Sequence, residues 1–297
     1  MNNLSDRFLN LRKRSELLCK PLIIEDFSVQ PVDFVSPPKW HLAHVTWFWE
    51  EFILTKYQTD YVVFNKDFSY LFNSYYNNVG KRVLRPTRGL MTRPSVDEVY
   101  QYRNYVTEAM INFLETKPSK EIIELIEIGI NHEEQHQELL IYDIKYILGH
   151  QPFFPKYDNT IQLKTEKQKQ DFILIKEGLY EIGHQGNGFA FDNELGRHKV
   201  YLNEYEISNK LITNGEYIAF IEDGAYKNFN YWHDEGWHWI QQNHIEAPMY
   251  WHFFDGEWCH YDLNGLQKIN KELPVNHISF YEAFAFAEYK NAITYRI

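Results

Sequence analysis

The chain contains Asn131-His132-Glu133-Glu134-Gln135-His136-Gln137-Glu138 within a stretch whose apolar residues return every three or four positions from Ile122 to Leu148. That period predicts one long amphipathic helix. His132 and His136 lie one turn apart on the same helical face, so both imidazoles can point at one ion. The stretch therefore predicts a helical domain with a candidate metal site, although an ordinary pair of surface histidines has the same spacing.

Three stretches upstream have the same helical period: Arg7 to Leu18, Leu42 to Leu54 and Val96 to Leu114. Their boundaries contain helix-breaking prolines, in Ser36-Pro37-Pro38, Arg93-Pro94-Ser95 and Lys117-Pro118-Ser119, and Gly149 follows the last helix. Ser95 and Ser119 are candidate N-caps, the first with Glu98 three residues on. Four such helices predict a bundle over residues 1–155.

The second half of the chain has a different pattern. Residues 156–170 are polar and rich in lysine, which predicts a linker. Beyond it, we expect strands at Phe172 to Gly183 and at His198 to Ser208, and a short helix around Asn214 to Ile221. From Tyr226 to Asp262 no clear period appears, which predicts long packed loops. The predicted fold class is α+β, a helical bundle followed by an α+β domain over residues 171–297.

Composition excludes several classes of function. A formal net charge of −11 disfavours a protein that binds nucleic acid, because phosphate contacts need clustered Lys and Arg. Cys19 and Cys259 form no disulfide framework, which favours the reducing cytoplasm. No signal-peptide pattern and no run of about 18 apolar residues is present, so we expect a soluble protein with no membrane partner.

A second histidine cluster, Trp40-His41-Leu42-Ala43-His44, opens an earlier helix. Taken alone, either histidine is more often a hydrogen-bonded core or surface residue than a ligand. Bundles build metal sites from side chains that project inward from facing helices, and neutral imidazole suits iron, zinc or copper. The pair of clusters therefore predicts a site made by His44, His132 and His136.

Two alternatives stay open. The segment His132-Glu133-Glu134-Gln135-His136 also has the spacing of a zinc hydrolase, in which Glu133 would be the general base. In the other alternative the chain is a non-catalytic binding module and its histidines are structural.

Three ordered motifs resemble the DinB-like domain of the ergothioneine-biosynthesis sulfoxide synthases (EgtB): Ser36 to Phe48, Arg85-Pro86-Thr87-Arg88-Gly89-Leu90 and His132 to Leu139. Later motifs are similar to the formylglycine-generating-enzyme-like (C-type-lectin-like) domain that follows in that family: Gly178 to Gly183, Phe191 to Glu194, Arg197-His198, Thr213 to Tyr217 and Pro274 to Ser279.

This resemblance implies a cytoplasmic non-haem Fe(II) enzyme. Such an enzyme uses O2 to join a thiol, cysteine or gamma-glutamylcysteine, to trimethylhistidine (hercynine) as a sulfoxide. It implies that His44, His132 and His136 bind iron. It also implies that Gln135 contacts the histidine-derived substrate and that Arg85 and Arg88 lie near the carboxylates of the thiol substrate. Arginine suits carboxylates because its planar fork binds them bidentately.

The sequence departs from the family pattern at its end. After Phe280 to Lys290 the family usually continues for about a hundred residues, whereas here Asn291 to Ile297 do not match and the chain stops. The family's catalytic tyrosine belongs to that further region, so no catalytic residue is assigned here. We expect a C-terminally truncated second domain and weak or no sulfoxide synthesis by this chain.

Overall fold

The computed structural model describes residues 4–74, 80–158 and 171–290. The chain divides into two compact units, Met1–Asp158 and Asn159–Ile297. The first unit is helical and the second contains both sheets and helices, which confirms the predicted α+β class. Most of the predicted linker and all of Asn291 to Ile297 lie outside the described residues.

The first unit contains four long helices, as predicted: α1 Leu4–Cys19, α2 Pro38–Trp49, α3 Val96–Glu115 and α4 Lys120–Gly149. Shorter helical segments join them. The chain continues from α2 through a π-helical turn, Glu50–Leu54, and the short helices Thr55–Tyr57 and Phe68–Phe72. Two 3-10 helices, Ile24–Ser28 and Arg85–Leu90, precede α2 and α3 respectively.

Helix α2 is the centre of this unit, and all 12 of its residues are buried. It begins with Pro38, whose missing N–H and fixed φ suit the first helical position. Its side chains pack against α3 and α4. Gly129 permits this close approach, because a Cβ there would lie 2.5 Å from the Trp49 ring. The candidate ligands on α2 and α4 are therefore carried by two directly packed helices.

The two predicted N-caps differ. Ser95 accepts a hydrogen bond from the Glu98 N–H, and Glu98 accepts one from the Ser95 N–H, so the predicted capping box is confirmed. Ser119 has the extended backbone of an N-cap, but its side chain makes no capping hydrogen bond. Ser119 therefore occupies the predicted N-cap position but does not supply a capping hydrogen bond.

In the second unit, each of the two predicted strands is in fact a pair. The chain forms β1 Phe172–Ile175, β2 Gly178–Ile182, β3 His198–Leu202 and β4 Tyr205–Ser208. β1 pairs with β4 and β2 pairs with β3, both antiparallel. Because β1 and β2 belong to different sheets, as do β3 and β4, the chain changes sheet within each predicted segment, which periodicity along that segment does not reveal. Several large apolar side chains of these four strands are exposed: Phe172, Ile173, Leu174, Leu179, Ile182, Tyr201 and Ile207.

The expectation of loops from Tyr226 to Asp262 was wrong. Beyond α5 Asn214–Glu222, this region contains α6 Asp234–Asn243 and a meander of β5 Trp251–Phe254, β6 Glu257–Asp262 and β7 Gly265–Lys268. The turn between β5 and β6 is Asp255-Gly256, with φ of 49° and 83°. Asp-Gly is a usual sequence for a two-residue hairpin turn, because both central positions of a type I′ turn need a positive φ.

The core of the second unit lies between these elements and the last helix, α7 Phe280–Tyr289. It is mainly aromatic and includes Tyr217, Phe220, Tyr226, Trp232, Trp251 and Phe286. None of the helices that the structure describes is both long and apolar enough to span a bilayer.

Candidate metal centre

Three histidines converge inside the first unit. His44 comes from α2, and His132 and His136 come from α4, with one ring nitrogen of each lying within 4.8 Å of the others. Two nitrogens that bind one ion through bonds of about 2.1 Å are at most about 4.2 Å apart, so a small inward movement would seat a cation. Within the described part of the chain, this is the one group of three or more His, Cys or acidic side chains with such spacing.

The hydrogen bond of His44 fixes which of its ring nitrogens has a lone pair available for a metal ion. Its Nδ1 lies 2.6 Å from the Phe72 carbonyl oxygen, which can only accept, so Nδ1 carries the proton. The lone pair is therefore on Nε2. This nitrogen is buried, with no hydrogen-bond partner among the described residues, and so is Nδ1 of His132. Buried polar atoms without partners are uncommon in folded proteins and are expected at ligand sites.

Aromatic rings hold the histidines in place. Trp40 stacks on His44 with ring centroids 4.5 Å apart, and Trp47 also stacks on His44 with ring centroids 5.5 Å apart. Phe48 packs against His132 at 4.6 Å. These aromatic rings exclude water from around the imidazoles and restrict their rotation.

Burial also sets their protonation. It lowers the pKa of His132 to about 4 and lowers the pKa of His44 and of His136 well below the usual range. Neighbouring imidazoles and the Arg88 guanidinium lower the pKa of His44 and His136 further. All three are thus neutral at pH 7, the form that binds metals.

The donor set fits a catalytic metal ion. Three neutral imidazoles suit iron, zinc or copper and leave about three positions open on an octahedral ion. Among the described residues no carboxylate joins the group. The geometry itself does not distinguish iron from zinc.

The arginines implied by the resemblance lie near this cluster but contact protein groups. Arg88 is 5% exposed, donates to the Ser36 hydroxyl at 2.8 Å, and lies over the Trp40 ring at 3.4 Å. Arg85 is half-buried and donates to the Phe34 carbonyl. Desolvation is the main cause that lowers the pKa of the buried His41, and the charges of Arg85 and Arg88 lower it further. Both guanidinium groups therefore lie close to the histidines. Gln135 is exposed on α4, one residue before His136.

Glu133 does not resemble a general base. One carboxylate oxygen accepts from Arg12 at 2.9 Å and from the Trp49 indole at 2.8 Å. The other accepts from Ser15 at 2.7 Å and from Arg103 at 3.4 Å. Burial acts to raise the pKa of Glu133, but the two guanidinium groups outweigh it and hold the pKa at about 2.

Sequence reasoning missed Asp143, Trp40 and Phe72 as neighbours of the cluster. Asp143 lies 2.8 Å from Nε2 of His41, and Nδ1 of His41 lies 3.0 Å from Nδ1 of His136. The sequence did contain a signal for Asp143, because residues seven apart on a helix share a face, as His136 and Asp143 do on α4.

Comparison with known proteins gives two family matches. Residues 7–140 match the DinB superfamily and residues 158–297 match the sulfatase-modifying factor enzyme 1-like domain. A hercynine oxygenase of Mycolicibacterium smegmatis is 26% identical over 87% of this chain and 58% of its own length. Another from Mycolicibacterium thermoresistibile is 25% identical over 63% of this chain and 41% of its own length. The chain thus spans about half the length of these relatives.

Proposed function

Because the chain belongs to the EgtB-like family of DinB-like and sulfatase-modifying-factor-like proteins, we propose that it is a non-haem Fe(II) oxygenase acting on hercynine. In the proposed reaction a thiol R–SH and the imidazole C–H of hercynine combine with O2. A C–S bond forms, one oxygen atom becomes the sulfoxide, and the other leaves as water with the two substrate hydrogens. The thiol is cysteine or gamma-glutamylcysteine.

The observation that carries this proposal is the buried, unpartnered Nε2 of His44 beside His132 and His136. An unsatisfied buried polar atom costs about 1–3 kcal/mol, a cost that a bound cation removes. If the histidines were only structural, as in a non-catalytic binding module, nothing would offset the cost of this unsatisfied nitrogen. Iron bound there would supply the activation of O2.

The side chains of this chain have separate roles in the proposal. His44, His132 and His136 hold the ion, and the Trp40, Trp47 and Phe48 rings exclude water. Arg85 and Arg88 are proposed to attract the carboxylates of the thiol substrate. In support, Nε of Arg85 is buried without a hydrogen-bond partner among the described residues, and a carboxylate would satisfy it.

Gln135 is proposed to contact hercynine. Its support is its place on α4 next to His136 in sequence, together with the exposure of its side chain.

The zinc-hydrolase alternative is disfavoured by Glu133. A general base needs a pKa near the working pH and a free oxygen for water. Glu133 is 1% exposed, both oxygens accept hydrogen bonds, and its pKa is held at about 2.

The test uses the full chain, reconstituted anaerobically with Fe(II). Calorimetry measures hercynine binding, and mass spectrometry follows sulfoxide formation after cysteine or gamma-glutamylcysteine and O2 are added. We expect hercynine to bind the iron-loaded chain and not the His44→Ala variant, with His150→Ala, an exposed histidine at the end of α4, as control. An iron-loaded chain that fails to bind hercynine would contradict the proposed substrate. Peptide hydrolysis by the wild-type chain that a chelator abolishes and Zn(II) restores would favour the hydrolase.

A further inference from the structure

A chain of hydrogen bonds leads from a buried carboxylate to one of the three histidines. Oδ2 of Asp143 lies 2.8 Å from Nε2 of His41, and Nδ1 of His41 lies 3.0 Å from Nδ1 of His136. Asp143 is 0% exposed and His41 is 3% exposed, so bulk water does not compete for these bonds. The relay connects α4 to α2 and returns to α4, since Asp143 and His136 both belong to α4.

The chemistry of these atoms fixes where each proton lies. A carboxylate only accepts, so His41 donates from Nε2 to Asp143. A neutral His41 then has its lone pair on Nδ1, which accepts from Nδ1–H of His136. His136 is left with its lone pair on Nε2, which is then the nitrogen that it can offer to a cation. Each hydrogen bond therefore selects the tautomer of the next ring.

We propose that Asp143 and His41 are positioning residues that fix the tautomer and orientation of His136, so that Nε2 presents a lone pair to the cation. This inference rests on the proposed function only in taking His136 as a metal ligand. Neither residue touches the ion or a substrate. Neighbours of this kind commonly orient metal-bound histidines, and their removal typically costs 10- to 100-fold in metal affinity.

The surroundings of Asp143 support a positioning role. The same oxygen that accepts from His41 also accepts from the Ser36 N–H at 3.0 Å, and Ser36 directly precedes the prolines that begin α2. Asp143 therefore ties the start of α2 to α4. The Ser36 hydroxyl in turn accepts from Arg88, the residue that lies over Trp40. The carboxylate is held from two directions, which fixes its oxygen for His41.

The first test needs no metal. In the metal-free full chain with 15N-labelled histidine, long-range 1H–15N spectra show which ring nitrogen of each histidine carries the proton. We expect the proton on Nδ1 of His136 and on Nε2 of His41, with signals assigned through single His→Ala variants. A proton on Nε2 of His136 in the wild-type chain would overturn the proposal, whether or not the protein is a sulfoxide synthase.

The second test uses Asp143→Ala, which removes the oxygen that accepts from both His41 and the Ser36 N–H, so that neither His41 nor His136 is held in one tautomer. We expect the affinity for Co(II), used as a spectroscopic probe, to fall about 10- to 100-fold. Glu50→Ala is the matched control, because Glu50 is another buried carboxylate of this unit that accepts from Tyr61 and Tyr102. A folded Asp143→Ala chain with wild-type tautomers and wild-type affinity would also overturn the proposal. If Asp143→Ala does not fold, the wild-type spectra still decide.

Discussion

Trp40 lies almost parallel to His44, with ring centroids 4.5 Å apart and an interplanar angle of 9°. On Trp40 lies the Arg88 guanidinium, 3.4 Å from the ring centroid. Arginine, tryptophan and histidine thus form three stacked layers in the buried part of the bundle. The Trp40 ring prevents the His44 ring from tilting and separates it from the Arg88 guanidinium.

This stack predicts a graded response at Trp40. Trp40→Ala removes the flat surface and leaves a cavity, so we expect about 3–5 kcal/mol lower stability and weaker metal binding. Trp40→Phe keeps a ring against His44 and is expected to lose less of both. Urea unfolding and Co(II) titration of the two variants measure this order, and equal losses would show that stacking on His44 has no special role.

A substitution at His132 is expected to abolish metal binding without lowering the stability of the metal-free chain. His132→Leu replaces a buried, unpartnered nitrogen by an apolar group, so we expect the metal-free chain to unfold at the same or a higher urea concentration. The same variant should lose the metal. A clear loss of stability in the metal-free variant would instead indicate that His132 is a structural residue.

Glu133 is expected to stabilise the fold of the first unit. Glu133→Gln removes the buried carboxylate that pairs with Arg12 and Arg103 and leaves Arg103 only the partly exposed Glu16. Breaking a buried pair in this way costs about 3–5 kcal/mol. The matched control is Glu138→Gln, an exposed position on the same helix, where we expect almost no change. Urea unfolding at neutral pH gives both values. A wild-type midpoint for Glu133→Gln would contradict the assigned network.

Helices α5 and α7 of the second unit each begin with a capping box, Thr213 with Glu216 and Ser279 with Glu282. The stability contributions of the two boxes are expected to depend on pH in opposite ways. Burial raises the pKa of Glu282, so the stability it contributes is complete below the unfolded pKa of about 4.5 and is lost as the pH rises through the folded value. Burial also acts to raise the pKa of Glu216, but hydrogen bonds from Thr213 outweigh it and lower the pKa. Its contribution is complete above pH about 4.5 and is lost as the pH falls.

Hydrogen exchange of the α5 and α7 amides between pH 4 and 7, corrected for intrinsic rates, measures both contributions. We expect Glu282→Gln to flatten the decline in protection at rising pH. Glu216→Gln should remove the decline at falling pH. The same effect in both variants would show that the sign assigned to one carboxyl is wrong.

The helical period predicted the bundle because α3 and α4 are 20 and 30 residues long and their apolar faces repeat over several turns. The hairpins of the second unit were harder to predict. Strand pairing joins β1 to β4 and β2 to β3, and such partners are far apart in sequence, so no local period encodes them. The Asp255-Gly256 turn was the local signal for the β5–β6 hairpin, and its aromatic surroundings obscured it.

For the candidate site, spacing placed His132 and His136 on one face, and the structure places His44 beside them. The contacts that hold these rings were not predictable in the same way. The Phe72 carbonyl reaches His44 from a short helix outside the periodic stretches. Glu133 had the sequence position of a general base, and only its four donors show that it is a structural anion.

Anaerobic metal analysis tests the central claim most directly. After incubation with Fe(II) and desalting, the wild-type chain should retain about one iron per chain, and His44→Ala, His132→Ala and His136→Ala should each retain almost none, while His150→Ala should match the wild type. Iron content that is absent from the wild-type chain, or unchanged in the three variants, would contradict a metal centre built from His44, His132 and His136.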